Sequence, residues 1–308
     1  MAKISLSSPV QQPKTSLAAI WAAMIVIYIV WGSTYLAIRF AVETIPPFLT
    51  AAARFLVAGG LLFLLRLKAG DRVPSFAQWR GSAILAAFLL LGGNGAVTWA
   101  EQTVPSGLTA LMVSSSPLWM LLLEALLPGG RKPNWRAVVG VFVGFGGILL
   151  LFWPGPDSLL NIHPAGAVAL IVATLSWAFG SVYSRQLELP TAPLMGAAAE
   201  MLTGGTILLI VGAIAGDFGR LNLAAISLNS FLGLAYLTIF GSLVAFTAYT
   251  WLLRVAPTSL VSTYAYINPL VALVLGVVIG REVLSPRSLA AAAIILASVA
   301  LITVTKRE

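Results

Sequence analysis

Apolar residues come along this chain in long unbroken runs, without the alternation expected of half-buried strands. Ten runs approach the roughly 20 residues that a helix needs to cross a bilayer. They are Leu17–Ile38, Phe48–Arg66, Gly81–Ala100, Ser106–Leu127, Ala137–Trp153, Pro164–Arg185, Leu194–Ala213, Ser230–Leu253, Ser259–Ile279 and Ser288–Thr305. The connections are short and rich in turn residues: Ile45-Pro46-Pro47, Lys68-Ala69-Gly70-Asp71, Pro128-Gly129-Gly130, Trp153-Pro154-Gly155-Pro156 and Ala215-Gly216-Asp217. Such loops leave no room for a soluble domain. The pattern predicts an all-α membrane protein of ten transmembrane helices. Residues 1–16 form a polar tail, and the first run is too long for a signal-peptide core, so it is expected to anchor the chain.

Composition agrees. Of 308 residues, 59% are hydrophobic and 9% charged, against about 25% charged in soluble domains. With no cysteine, disulfides and thiolate metal sites are excluded. The net charge of +8 reads as topology once its positions are considered. With the N-terminus inside, thirteen basic residues face the cytoplasm: Lys3, Lys14, Arg66, Lys68, Arg72, Arg80, Arg131, Lys132, Arg136, Arg185, Arg254, Lys306 and Arg307. Only Arg39, Arg220, Arg281 and Arg287 face outward, and Arg54 lies within the membrane. This bias predicts both termini on the cytoplasmic side and leaves no reason to invoke nucleic acid.

The chain also repeats itself. Trp31 to Leu62 aligns without gaps to Trp177 to Leu208 at an offset of 177 − 31 = 146, matching Trp31 with Trp177 and Arg39 with Arg185. Pro105 to Leu118 aligns at 257 − 105 = 152, matching Pro117 with Pro269. Residues 17–153 and 164–305 thus form two five-helix repeats. Five is odd, so the second enters the membrane inverted, an arrangement found in secondary transporters with their binding site near the midplane.

The ten-span layout, Trp31-Gly32-Ser33, Ala53-Arg54-Phe55 in the second span and the segment Pro105 to Pro117 together resemble EamA-type carriers of the drug/metabolite transporter superfamily. The resemblance covers the whole chain. Within that family the sequence is similar to bacterial exporters of amino acids, aromatic ones included, and related metabolites. It implies a multi-pass protein of the bacterial inner membrane.

Polar residues inside the spans are the candidates for contact with cargo. Tyr28, Trp31 and Tyr35 share one face of the first span, and Thr174, Trp177 and Ser181 answer in the sixth. Two such stripes facing each other would line a pore; otherwise they pack. In the third span Asn94, Thr98 and Glu101 share a face, and Ser242, Tyr249 and Trp251 are their counterparts in the eighth. The ninth places Ser259, Ser262, Thr263 and Tyr266 together, and the fourth carries Ser114-Ser115-Ser116, of which Ser115 is the candidate. Pro117 and Pro269 are expected to kink their helices and free the carbonyls of Val113 and Ala265. Two ion pairs are expected as gates or static braces, Arg54–Glu101 outside and Glu200–Arg254 inside, because paired charges avoid the cost of isolated ions in lipid. Glu124 is expected near Arg131 at the inner interface.

No Walker loop, HExxH or GxSxG occurs, and His163 stands alone in a loop. No catalytic or metal site and no cofactor is expected. Gly140-x-x-x-Gly144 and Gly276-x-x-x-Gly280 permit close packing within the chain or against a second copy. The expectation is a secondary transporter exporting neutral or zwitterionic amino acids or related metabolites by alternating access, since no basic cluster at mid-depth fits a polyanion. Lipophilic drugs, nucleobase-like metabolites or a passive channel are the alternatives.

Overall fold

A computed structural model describes residues 16–126, 135–153, 163–261 and 263–305, every regular element of which is helical. The turns at 128–130 and 154–156, together with Lys3, Lys14, Arg131, Lys132, Ser262, Lys306 and Arg307, lie outside the described residues.

In chain order the helices are α1 (Leu17–Ala41), α2 (Pro47–Lys68), α3 (Phe76–Ala86), a π segment (Ala87–Gly95), α4 (Ala96–Ala100), α5 (Ser106–Val113) and α6 (Ser116–Leu126). Then come α7 (Trp135–Phe152), α8 (Pro164–Tyr183), α9 (Pro193–Ile214) and the short α10 (Asp217–Arg220). The last set is α11 (Leu228–Tyr236), a second π segment (Leu237–Val244), α12 (Ala245–Val255), α13 (Thr258–Val261), α14 (Tyr264–Val278) and α15 (Pro286–Thr305). Seven stretches are long and apolar enough to cross a membrane, including Phe76–Ala100 and Leu228–Val255, each running through a π segment. Three shorter apolar helices, within α7, α14 and α15, stand where the fifth, ninth and tenth spans are expected.

Local chemistry sets the boundaries. Ser75 caps α3 in a reciprocal box with Gln78, satisfying amide groups that the first turn leaves free. Ser227 caps α11 by accepting from Ser230 N. Gly70 (φ 91°) and Gly216 (φ 78°) make left-handed turns after α2 and α9, a conformation that costs glycine little.

The expected kink at Pro117 is instead a break. α5 ends at Val113 and α6 restarts at Ser116, so the proline falls in a first turn, where its missing N–H costs nothing. The Val113 carbonyl, expected to be free, accepts from Ser116 Oγ at 2.7 Å. Pro269 does lie inside a helix, α14.

In the packing, α2 lies along α9, α7 along α15, and α1 against α14, α12 and α11. The largest buried cluster joins Leu108, Leu111, Met112 and Leu118 to Leu170, Leu273 and Ile295. Large apolar side chains such as Phe142, Phe231 and Val278 remain exposed on the periphery. An all-helical chain with such a surface has lipid as its solvent.

Candidate functional site

Two polar assemblies stand out in this apolar structure. The first is built on the middle of α1. Trp31 lies about 15 Å from the C-terminal end of that helix, from the helical rise. Its ring packs against Tyr249 of α12 and Tyr264 of α14, both at 5.1 Å between centroids, and the two tyrosines meet edge-on at 5.8 Å. Edge-to-face contacts at these distances favour the ring quadrupoles. The Trp31 indole donates to the Gly241 carbonyl at 3.2 Å, inside the second π segment. Tyr28, one turn before Trp31, hydrogen-bonds Thr263. All these rings are half-buried, floored by Met24, Ile27, Leu252 and Val261.

Arg54 reaches the same place from α2. Its side chain is buried and its Nε donates to Ser242 Oγ at 2.8 Å. A methyl group on Gly241 would lie 3.2 Å from Arg54 Nη2, so the guanidinium rests on the residue whose carbonyl holds Trp31.

The second assembly closes one end of the bundle. Glu282 follows α14 in a turn where Arg281 takes a left-handed φ of 53°. Its Oε1 accepts from Ser106 N and Oγ, both at 2.7 Å, and its Oε2 from Gly107 N at 3.0 Å. A carboxylate thus caps the free amides at the start of α5, the favourable pole of that helix. Arg39 of α1 adds an ion pair to Glu282 at 3.8 Å and a hydrogen bond to the Val104 carbonyl. Gly276 is needed here, because a methyl group would sit 2.5 Å from Glu282 Oε2. Glu101 lies beside them, 1% exposed, with neither carboxylate oxygen hydrogen-bonded among the described residues. Its electrostatic neighbours are Glu282 and Arg39, and it is felt in turn by Tyr35.

Neither expected ion pair forms. Arg54 binds Ser242, and Glu101 meets no donor among the described residues. Arg254 is exposed and acts electrostatically on Asp71 rather than Glu200. Asp71 is itself held below the usual carboxylate range, first by the Arg66 hydrogen bonds at 2.9 and 3.0 Å. Among the described residues Arg39 pairs with Glu282, and Arg185 with Glu124 at 3.2 Å, each across a long stretch of chain. The expected Arg131 partner of Glu124 lies outside the described residues.

Of the expected contacts, Tyr28, Trp31, Tyr249 and Thr263 are brought together. Tyr35 packs into the main core beside Glu101. Trp177 lies against the first π segment, where a methyl group on Gly93 would meet its ring at 2.8 Å. The hydroxyls of Thr98, Ser115 and Ser181 bond carbonyls of their own spans, and Ser115 is fully buried. The Asn94 amide donates to Leu89 O at 3.4 Å. Tyr266 donates to Val299 O of α15, away from Trp31. Tyr264 falls outside the pattern read from the sequence, although it lies between Thr263 and Tyr266, since the helix restarts at Tyr264 and the face is reset there.

A family model for EamA-like transporters matches the chain twice, over residues 17–153 and 164–304. The chain belongs to the EamA-like transporter family. It is 40% identical over 293 residues to the uncharacterized inner membrane transporter YedA of Escherichia coli K12, covering 94% of this chain and 92% of that protein. It is 30% identical over 266 residues to protein PecM of Dickeya dadantii, covering 83% and 82%. A solved crystal structure shares the fold with a TM-score of 0.62 at 20% identity, covering 95% of this chain and 99% of that one. This EamA-family protein is therefore a multi-pass transporter of the inner membrane and not an enzyme.

Proposed function

We propose that the chain is a secondary carrier that exports amino acids, aromatic ones among them, or related small metabolites by alternating access. The observation that carries this reading is the half-buried aromatic cluster of Trp31, Tyr249 and Tyr264, built on the middle of α1 and assembled from α1, α12 and α14. Such a cluster suits an apolar or aromatic moiety, with polar groups at its edge to fix orientation.

Two inverted halves, 17–153 and 164–305, with both termini cytoplasmic, complete the proposal. Several features support it at the offsets read from the sequence. Gly70 and Gly216 take the same left-handed turn 146 residues apart, and the capping serines 75 and 227 are 152 apart. Each half places a π segment mid-span, and Trp31 and Trp177 contact Gly241 and Gly93 of the opposite half's π segment. Arg39 and Arg185, matched by the 146 offset, each pair with an acid from the other half. In this topology the Arg39–Glu282–Ser106 assembly seals the outer end. Loss of that seal, and of its counterpart at the inner end in turn, would expose the aromatic cluster to either side.

The test is transport into proteoliposomes of labelled amino acids, nucleobases and lipophilic cations, with and without a pH gradient. Saturable uptake that unlabelled amino acid on the far side accelerates is expected. Non-saturating flux would leave a passive channel as the better description.

A further inference from the structure

The guanidinium of Arg54 has five N–H groups, and among the described residues the only hydrogen bond it makes is the one from Nε to Ser242 Oγ. Among the described residues no carboxylate lies within ion-pairing distance of it. Arg54 is nevertheless 8% exposed and rests on Gly241, halfway along Leu228–Val255. A cation held at that depth without a counter-ion is costly and marks a functional position by default. The structure is short of one negative charge here, and the place where it is short adjoins the rings around Trp31. The two features meet on consecutive residues, Gly241 with the indole and Ser242 with the guanidinium.

We propose that Arg54 is the anion-binding group of the cargo site, taking a single carboxylate through its Nη groups while the apolar body of the cargo lies on Trp31, Tyr249 and Tyr264. This rests on the carrier reading above and names the class of cargo: an amphipathic monocarboxylate, of which a zwitterionic aromatic amino acid is one case. The planar fork of arginine matches a carboxylate with two parallel hydrogen bonds. Phosphate dianions are disfavoured because a second cation is missing. Amines and neutral aromatics would leave the guanidinium unpaired, and such a site rejects analogues lacking the matching group.

The test compares three labelled probes of similar size in proteoliposomes: phenylalanine, its decarboxylated amine and its amide. Wild type is expected to transport phenylalanine well above the other two. Arg54→Gln should weaken half-saturation by phenylalanine about 100-fold, the order found when one partner of a buried charge pair is removed, and bring the three probes within a few-fold of one another. Arg54→Lys, which keeps the charge and is the fallback if the glutamine variant does not fold, should weaken phenylalanine about 10-fold. A folded Arg54→Gln protein that still prefers phenylalanine, an unaltered Arg54→Lys, or a wild type that favours the amine would overturn the assignment while leaving the carrier reading intact. If wild type moves none of the three, the amino-acid reading itself fails, and the assignment with it.

Discussion

Removing the carboxylate of Glu282 should open the end of the bundle that it closes. Its side chain is 4% exposed and accepts two amides and a hydroxyl at the start of α5. Hydrogen bonds to charged groups contribute about 1.5–3 kcal/mol each, but water can replace the acceptor once the end is open. Arg39 is more than a third exposed and at 3.8 Å, so its share is small after solvent screening. A net loss of about 2–4 kcal/mol from the closed arrangement follows, a shift of roughly 30- to 700-fold in the closed-to-open ratio at 1.4 kcal/mol per decade. The chain has no cysteine, so one introduced thiol is unique. Leu108→Cys, at a site 1% exposed beside the seal, reports opening through its rate of reaction with a membrane-impermeant maleimide. Glu282→Ala should raise that rate by a large part of the same factor, and Glu282→Gln by less because one acceptor oxygen survives. Labelling of a folded Glu282→Ala protein at the wild-type rate would refute the seal.

Glu101→Gln should behave oppositely: with no hydrogen bond among the described residues on either oxygen to lose, the variant is expected to melt within a few degrees of wild type in detergent. A drop of ten degrees or more would reveal a partner. Trp31→Phe keeps a ring but deletes the donor to Gly241, so transport should fall several-fold, whereas Trp31→Ala, which also removes the contacts with Tyr249 and Tyr264, should abolish it. Equal activity of the two variants would show that the ring is irrelevant. For Asp71, held below its ordinary value by Arg66, the sign is fixed: its stabilisation is complete above the unfolded value of about 3.9 and is lost as pH falls through the lower folded value. Melting curves of wild type and Asp71→Asn should therefore converge as the solution is acidified below that range, and a gap that widens there would contradict the pairing.

Lengths and bulk hydropathy located the helices, because every span must satisfy its backbone internally and stay apolar for some 20 residues. The features that broke helical regularity were harder to read. Nothing in Ala87–Gly95 or Leu237–Val244 forbids ordinary α-helix, and the π geometry there coincides with contacts from Trp31 and Trp177 of other spans. Face-counting through Thr263 to Tyr266 failed at the break before α14, giving Tyr266 where Tyr264 stands. The charge pairing failed for a different reason. Depth along a span matches Arg54 with Glu101, but a helix start competes for carboxylates as strongly as an arginine does. Glu282 went to the amides of Ser106 and Gly107, drawing Arg39 with it. The 146-residue match of Arg39 with Arg185 already held the clue, since each of those arginines pairs with an acid of the other half.

The π segments have a mechanical consequence. Each stores a surplus residue relative to α-helix spanning the same turns. Sliding that surplus along the rod turns only the residues it passes, each by about 100°, the angle one residue subtends in an α-helix, and leaves the ends of the rod in place. Such a slip trades one set of i→i+5 bonds for another and strips no amide bare. Both rods grip a tryptophan of a neighbouring helix at the slipping point, Gly241 holding Trp31 and Gly93 lying under Trp177. Such a slip re-aims the side chains in the middle of a rod while its ends stay put, and in both rods an aromatic pawl sits where it would start.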